Sequence, residues 1–284
     1  MKLITKLFII TDIFILLCFF IVYGPIEEIR TFWITTSMET MNHKYLAHIF
    51  YSNEAITNTL KKNYFVAIDE ETDPVKITIG QQEEVTSYES IYEEQILKRD
   101  KDALYKLIEF KYNEFDCYLV AIYDPKRVHA VSVKNLGGGS ILTDLAKEND
   151  AIVAINGGGY FWSNYMPSGL IVSDGVVKYA SSSGKHITAG FNEDGVLLLG
   201  SFDKNSIKEK NIKEALSFNP ILISNGNPIK IVGTGGSGLN PRTVLAQRKD
   251  GIVLFLVVNG YGSKLSWKGR GDNIWRILHF SIYF

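Results

Sequence analysis

The sequence predicts a mixed α+β (layered α/β) fold, in which a β-rich domain follows an apolar N-terminal helix and a partly helical spacer. Residues 7–23 form an almost wholly apolar run. Residues 38–62 and 87–111 show helical spacing of apolar side chains. From about residue 115, short β-rich runs alternate with turn dipeptides. Layers of helices packed on sheets are the usual way to bury such a mixture of elements.

Composition narrows the class of protein. The chain has 284 residues, 46% of them hydrophobic and 21% charged, which suits one sizeable domain with a smaller appendage. Its 30 basic and 31 acidic residues give a net charge of −1, so a nucleic-acid partner is not predicted. Cys18 lies in the apolar run and Cys117 far beyond it, which argues against a disulfide or a cysteine-based zinc site.

The apolar run of residues 7–23 predicts a membrane anchor. A bilayer core requires about 20 apolar residues, with a lower bound near 17. The following GPIEEIRTFW offers no small-x-small cleavage site, which favours an uncleaved anchor over a signal peptide. Lys2 and Lys6 place the N-terminus in the cytoplasm, so we expect a single-pass protein of the cell membrane with an extracytoplasmic main domain. The predicted parts are an anchor, a spacer and a main domain: residues 1–24, 25–114 and 115–284.

The spacer combines two predicted helices with a short strand. Residues 38–62 are predicted to be helical, with Ser37 and Ser52 as caps. A second polar helix is predicted for residues 87–111. Between them, Asp73-Pro74 predicts a turn and VKITIG a strand. No catalytic pattern occurs in this region.

The main domain begins with predicted strands at 117–123 and 128–133, followed by the helix ILTDLAKEND with Ser140 as its N-cap. A buried strand at 151–155 leads into AINGGGYFW, and a later helix is predicted at 207–215. Four dipeptides between apolar runs predict β-hairpins: Asp174-Gly175, Asp194-Gly195, Asn225-Gly226 and Asp250-Gly251.

Two glycine-rich loops are the candidate binding elements. One is Asn156-Gly157-Gly158-Gly159, followed by Tyr160, Phe161 and Trp162. The other, GTGGSGLNP, contains G-x-G-x-x-G, but a proline and the strand-like TVLA follow it, so a dinucleotide site is not predicted. This loop precedes Arg242, which is suited to bind a phosphate together with glycine N–H groups. The alternative is a surface arginine in a salt bridge. Lys185 and His186 are weaker candidates of the same kind.

The titratable residues predict neither a cofactor nor an acid–base pair. The five histidines are scattered along the chain, so a histidine-based metal site is not expected, and only a carboxylate-bound divalent cation stays open. Glycoside hydrolysis usually requires two carboxylates across the scissile bond. The candidates, most of which lie in or beside hairpin turns where aspartate is favoured by turn geometry, are Asp174, Glu193, Asp194, Asp250 and Asp272.

Five segments in order resemble the phosphodiester glycosidase family: AINGGGYFW, MPSGLIVSDGVV, ITAGFNEDGVLLLG, SFNPILISNGNPI and PRTVLAQRKDGIVLFLVVNG. The family is similar to the catalytic domain of the mammalian mannose-6-phosphate uncovering enzyme, and its bacterial members are often labelled exopolysaccharide biosynthesis proteins. The resemblance covers about residues 115–270. It implies hydrolysis of a sugar-1-phosphodiester of an envelope or exopolysaccharide glycan.

The resemblance also implies which residues line the pocket: Asn156, Gly157, Gly158, Gly159, Gly169, Arg242, Thr243, Asn259 and Gly260. Asn259 occupies a position that is often aspartate in the family, so an acid role there is lost. We add His186 as a further substrate-binding candidate.

The C-terminal part departs from the family pattern. The family's D-G-G-S loop, which supplies active-site groups, has no counterpart in SWKGRGDNIWRILHFSIYF. An inactive or truncated relative that binds glycan or sugar phosphate is therefore the alternative to an active hydrolase. We also expect the last ~15 residues to lack strand partners.

Overall fold

The computed structural model describes residues 2–40, 43–66, 70–80, 87–113, 115–161, 163–217, 219–235, 241–259 and 280–283. Its α-helices, in chain order, are α1 (Lys2–Tyr23), α2 (Glu27–Glu39), α3 (Tyr45–Phe50), α4 (Asn53–Lys61), α5 (Ile91–Leu97), α6 (Leu142–Glu148) and α7 (Lys204–Glu209). Short 3-10 helices span Pro74–Lys76 and Pro125–Arg127.

The strands are β1 (Tyr64–Phe65), β2 (Tyr105–Tyr112), β3 (Phe115–Ile122), β4 (His129–Ser132), β5 (Ala154–Asn156), β6 (Leu170–Ser173), β7 (Val176–Ala180), β8 (His186–Asn192), β9 (Leu197–Phe202), β10 (Ile212–Ser217), β11 (Ile223–Ser224), β12 (Asn227–Pro228), β13 (Ile231–Val232), β14 (Arg242–Gln247), β15 (Val253–Val258) and β16 (Phe280–Tyr283). The predicted α+β class is therefore confirmed.

The chain divides into two compact units. The first consists of residues 1–66 and 230–240 and contains α1 to α4 with the β1–β13 pair. Within α1, the 21 residues Leu3–Tyr23 have a mean hydropathy of 2.4, so the helix is long and apolar enough to cross a membrane, a property that signal sequences share. Helices α2 to α4 enclose a small core of Ile34, Ala47, Tyr51 and Ile56.

The second unit, residues 67–229 and 241–284, contains the larger sheets. A four-stranded sheet has the order β14-β15-β3-β2, a five-stranded sheet the order β7-β6-β10-β8-β9, and a three-stranded sheet the order β4-β16-β5. All pairs in the first two sheets are antiparallel. Consecutive elements in an antiparallel sheet are joined by short turns, which is why the turn dipeptides are frequent here.

Successive side chains of a strand point to opposite faces of its sheet. Each of the two larger sheets directs one of these sets into a shared central core. Val120 and Ile122 of β3 lie in this core with Ile171 of β6 and Leu216 of β10. The alternate residues of β3, Leu119 and Ala121, pack with Ile96 of α5. On the far face of the five-stranded sheet, a third cluster includes Ile207 of α7. Burial on both faces explains why these strands read as continuous apolar runs.

The four predicted hairpins are confirmed, each joining an antiparallel pair: β6–β7, β8–β9, β11–β12 and β14–β15. In the first, Asp174 and Gly175 have φ angles of +53° and +74°, the signs that a type I′ turn requires. Cys18 and Cys117 are both free, as expected.

Three predicted elements of the first half differ from the structure. The helix predicted for 87–111 is confined to α5, and β2 follows it, because alternating side chains such as Ile108 complete the sheet beside β3. The predicted strand VKITIG is instead a 3-10 helix and a turn, started by the Asp73 carboxylate, which accepts a hydrogen bond from Val75 N. The helix predicted for 38–62 is divided among the end of α2, α3 and α4.

Two predicted helix caps are wrong and one is right. Ser37 lies inside α2, and the N-cap of α6 is Ile141 rather than Ser140. Ser52 caps α4 by accepting a hydrogen bond from Ala55 N at 3.2 Å.

Two further corrections concern the second half. The helix predicted for 207–215 ends at Glu209, and Asn211 at a φ of +52° turns the chain into β10. The C-terminal strand β16 has partners on both sides, β4 and β5, contrary to our expectation for the last residues. The predicted division at residue 114 stays a prediction, and the β2–β3 pairing crosses it.

The central core predicts the cost of truncating Phe255, a β15 residue that is 1% exposed. We expect Phe255→Ala to lower the free energy of unfolding by about 3–5 kcal/mol, because transfer energy is lost and a cavity is left. Denaturant unfolding followed by circular dichroism measures this. The control is Val176→Ala on β7, where the side chain is 54% exposed and we expect a change within about 0.5 kcal/mol. Equal losses in the two variants would contradict the assigned core.

Candidate functional site

The first glycine loop leaves the end of β5. Asn156 is half-buried at the last position of this strand, Gly157 is buried and Gly158 is exposed. Gly158 has a φ of +74°, a left-handed conformation that side chains rarely adopt, so glycine is required by the backbone at this position. The loop exposes main chain directly after the half-buried strand β5, a setting that suits a ligand-binding loop.

The loop continues into a narrow hairpin of irregular backbone. Ser168 N donates to Gly159 O at 2.9 Å, and Phe161 N donates to Met166 O at 2.8 Å. Between these pairs, Tyr160 forms an isolated bridge with Pro167. A Cβ atom on Gly159 would come within 2.7 Å of Ser168 Oγ, so a side chain here would require the serine hydroxyl to move.

Aromatic side chains occupy this hairpin. The rings of Tyr160 and Tyr165 are stacked, with centroids 5.9 Å apart and planes 13° from parallel. Burial raises the pKa of the Tyr160 phenol, so its hydroxyl stays protonated across the neutral range. Phe161 is 47% exposed, and Trp162 lies outside the described residues. The flat, partly exposed rings form a surface of the kind that sugar rings stack on.

Gly169 lies at the start of β6, against β10. A Cβ atom there would overlap the side chain of Ser217. Ser217 Oγ accepts a hydrogen bond from Leu170 N at 2.7 Å, and Gly169 O accepts one from Ser181 N at 2.9 Å. The glycine therefore allows a close approach of two strands.

Arg242 and Thr243 open β14, next to the first glycine loop. Thr243 Oγ1 donates to Asn156 O at 3.3 Å, which joins the two segments. Arg242 is paired with Val258 in the sheet, so Asn259 follows at the same strand end, where its N–H donates to Asp116 O at 2.9 Å. The Arg242 guanidinium donates to Pro241 O at 3.4 Å.

His186 lies at the same end of the five-stranded sheet as Gly169. Ser217 of β10 is paired with Thr188 of β8, which puts the start of β8 level with the start of β6. His186 Nε2 lies 3.2 Å from Ser182 Oγ in the β7–β8 connection. The remaining predicted residues, Gly260 and residues 236–240 of the second glycine loop, lie outside the described residues.

Comparison with known proteins finds a family match in the part of the chain that contains these loops. Residues 149–271 match the phosphodiester glycosidase family. The resemblance of the sequence to this family is therefore confirmed over residues 149–271. No curated protein sequence matches the chain.

Two solved structures are similar to the chain. The zebrafish N-acetylglucosamine-1-phosphodiester alpha-N-acetylglucosaminidase catalytic domain, auto-inhibited by its pro-peptide, is 18% identical. That match covers 66% of this chain and 73% of the zebrafish chain, with a TM-score of 0.48. A hypothetical protein from Synechocystis is 12% identical over 54% of this chain and 50% of its own, with a TM-score of 0.37.

The turn carboxylates lie at the opposite ends of their strands from three of the predicted binding residues. Asp174 is at the end of β6 opposite Gly169, Asp194 at the end of β8 opposite His186, and Asp250 at the end of β14 opposite Arg242. Glu193 shares the β8–β9 turn, and Asp272 lies outside the described residues. Asp250 binds Arg248 at 2.9 Å, a structural role. The potential metal ligands found in the described residues, His129, Asp174 and Glu214, lie within 4.8 Å of one another at this far end.

Three residues near the glycine loops gave no signal in the sequence: Ser168, Ser217 and Tyr165. Ser217 is recognisable only as the neighbour that requires glycine at position 169, and Ser168 only as a close neighbour of Gly159. Tyr165, which has a φ of +56° and stacks on Tyr160, lies in a segment without periodicity. Their importance follows from contacts between segments, which local patterns do not encode.

The Gly169–Ser217 contact predicts a coupled pair of substitutions. We expect Gly169→Ala to destabilise the fold by roughly 1–3 kcal/mol, because the new methyl group overpacks against Ser217. Combining it with Ser217→Gly opens the space, so the double variant should lose less stability than the sum of the two single variants. Urea unfolding of all four proteins measures the coupling.

Gly184→Ala is the matched control for the glycine substitution, since the nearest atom to its new Cβ is Ser182 Oγ at 3.6 Å. If the stability losses of Gly169→Ala and Ser217→Gly simply add in the double variant, then the overlap between the new methyl group and Ser217 is relieved in another way.

Proposed function

We propose that the protein is a membrane-anchored, extracytoplasmic hydrolase of sugar-1-phosphodiesters in envelope or exopolysaccharide glycans. The observation that supports the proposal is the contact between Thr243 Oγ1 and Asn156 O, which joins the first glycine loop to β14 at the residue after Arg242. The family of residues 149–271 supplies the reaction class. Residues 7–23 would supply the anchor.

The phosphate of the substrate requires cationic and N–H donors. The exposed main chain at Gly158 and the guanidinium of Arg242 are suited to this, because arginine binds phosphate oxygens bidentately and glycine lets an anion approach the backbone. The substrate-binding residues are accordingly Asn156, the glycines 157–159, Gly169, Arg242, Thr243 and His186, with Asn259 and Gly260 at the adjacent strand end.

The sugar requires a flat apolar surface and polar groups at its rim. The stacked pair Tyr160 and Tyr165 and the half-exposed Phe161 offer such a surface within the same loop. Amphipathic rings of this kind bind with an apolar face while keeping a polar group in water. Under this proposal, the Asn156 side chain hydrogen-bonds sugar hydroxyls.

A second candidate function is binding of a glycan or sugar phosphate without turnover. One observation favours it: Asp174, Asp194 and Asp250 lie at the strand ends opposite Gly169, His186 and Arg242. General acid catalysis requires a proton donor at the leaving oxygen, within hydrogen-bond reach. Under this candidate, the loops would still bind the ligand.

The proposal predicts a hydrolytic activity that depends on Arg242. Full-length protein in detergent should release free sugar from members of a panel of sugar-1-phosphodiesters. Arg242→Ala should lower kcat/KM by roughly 10–100-fold, because a charge-assisted hydrogen bond contributes about 1.5–3 kcal/mol. Lys208→Ala, which removes an exposed cation from α7, is the control and should leave kcat/KM unchanged.

The outcomes separate the two candidates. Release of sugar by the native chain, lost in Arg242→Ala, supports the hydrolase. Saturable binding of the same diesters without release, weakened by Arg242→Ala, supports the binding protein. Absence of both would overturn the assignment of this site.

Anchoring is tested by placing a charge in α1. We expect the native chain to stay with the membrane fraction after a high-salt wash, and Leu16→Arg to release much of it, because an arginine at the helix centre costs about 2.5–3.5 kcal/mol on insertion scales. Leu3→Arg is the matched control, since a long side chain near the end of the helix reaches the interface. A mature chain that lacks residues 1–23 by mass spectrometry would contradict an uncleaved anchor.

A further inference from the structure

Glu214 of β10 is a buried carboxylate, 7% exposed, at the end of the five-stranded sheet away from the glycine loops. Its Oε2 accepts a hydrogen bond from Ala130 N of β4 at 2.8 Å. Its Oε1 accepts one from Asp174 N, in the β6–β7 turn, at 3.2 Å. A buried charge is tolerated only with such compensation, so the two N–H groups hold this carboxylate in one orientation.

His129 and Asp174 complete a group of three potential ligands. His129 Nδ1 lies 3.4 Å from Glu214 Oε1. The Asp174 carboxylate joins them, and one ligand atom from each of the three residues lies within 4.8 Å of the other two. Zinc bonds of about 2.0–2.2 Å in tetrahedral geometry separate neighbouring ligand atoms by roughly 3.3–3.5 Å. The His129–Glu214 ion pair already has this spacing, and the exposed Asp174 carboxylate lies within 4.8 Å of both partners.

Hydrogen bonds hold the backbone around the three residues. Asp174 and Gly175 adopt the positive φ angles of their tight turn, and Gly175 N donates to Lys213 O at 2.8 Å. This bond attaches the turn to β10 directly before Glu214. The Ala130 N–H bond to Glu214 is the kind of supporting contact that orients a metal ligand.

We propose that His129, Asp174 and Glu214 form a binding site for a divalent zinc-type cation, separate from the glycine loops. An imidazole nitrogen with two carboxylate oxygens suits Zn²⁺ better than Mg²⁺ or Ca²⁺, which prefer oxygen ligands. Three protein ligands leave the fourth tetrahedral position to water.

The charges and connectivity of the site indicate what the cation does. Two carboxylates attract the cation, whereas the positive charges of Arg127 and Lys213 nearby repel it. The ligands come from β4, the β6–β7 turn and β10. A cation held by all three joins segments that are distant in the sequence, so its binding energy adds to the stability of the fold.

The test is Zn²⁺ binding to the full-length chain in detergent after treatment with EDTA. We expect one Zn²⁺ per chain by titration against a chromogenic chelator, together with a higher melting temperature. Asp174→Asn removes the carboxylate but keeps a residue that tolerates the positive φ of the turn, and should weaken Zn²⁺ binding by at least about tenfold. The matched control is Asp194→Asn in the β8–β9 turn, which should bind as the native chain does.

Two results would overturn the site. One is no Zn²⁺ binding by the native chain, and the other is equal binding by the native chain and Asp174→Asn. If Asp174→Asn in EDTA melts at the same temperature as the native chain in EDTA, then its weaker Zn²⁺ binding is not caused by misfolding. Co²⁺ adds a spectroscopic readout, since a four-coordinate site with one nitrogen ligand absorbs in the visible range and the Asp174→Asn variant should lose that band. Arg242→Ala should retain full Zn²⁺ affinity, which separates this site from the proposed hydrolase.

Discussion

The central core between the four-stranded and five-stranded sheets is the constraint on which the rest of the second unit depends. Phe255 of β15 and Leu216 of β10 are both almost fully buried in it. Because side chains alternate along each strand, burial of one set in this core sends the other set towards α5 or α7. A register slip of one residue would exchange the two sets, so the core also determines the pairing of the strands.

Strand pairing in turn separates the two ends of the domain. In an antiparallel pair joined by a tight turn, the turn occupies one end and the free strand termini the other. The turns Asp174-Gly175, Asp194-Gly195 and Asp250-Gly251 therefore lie opposite Gly169, His186 and Arg242. The same geometry joins the first glycine loop to Thr243 at one end and gathers His129, Asp174 and Glu214 at the other. The proposed phosphate site, with glycine N–H groups and a guanidinium, lies at one end, and the proposed cation site, with carboxylates and an imidazole, lies at the other.

Close approach of backbones explains the glycines at the loop end. Gly169 is required by the nearness of the Ser217 Cβ atom, whereas Gly158 is required by its φ angle. The two glycines thus serve different physical needs. Where the hairpin of residues 159–168 meets β6, the hydrogen bonds of Ser168 and Leu170 keep this part of the chain in place.

The sequence predicted the hairpins and the strands β3 to β6, since turn dipeptides and apolar runs are local signals. It also argued against a disulfide, since Cys18 lies in the apolar run and Cys117 far beyond it. The helix predicted for 87–111 was wrong after Leu97, because pairing of β2 with β3 is a long-range gain that outweighs local helix propensity. The same competition shortened α7 in favour of β10. The glycine loops were recognisable as candidates, whereas Ser217 and Tyr165 were not.

The sequence by itself therefore determined the class of fold, the apolar N-terminal helix, the turns and the family of residues 149–271, because each depends on residues close together in the chain. Only the tertiary structure decided which side chains meet. Thr243 contacts Asn156 across 87 positions, and Glu214 accepts a hydrogen bond from Ala130 across 84. Such contacts follow from sheet order and register, which depend on burial in the shared core.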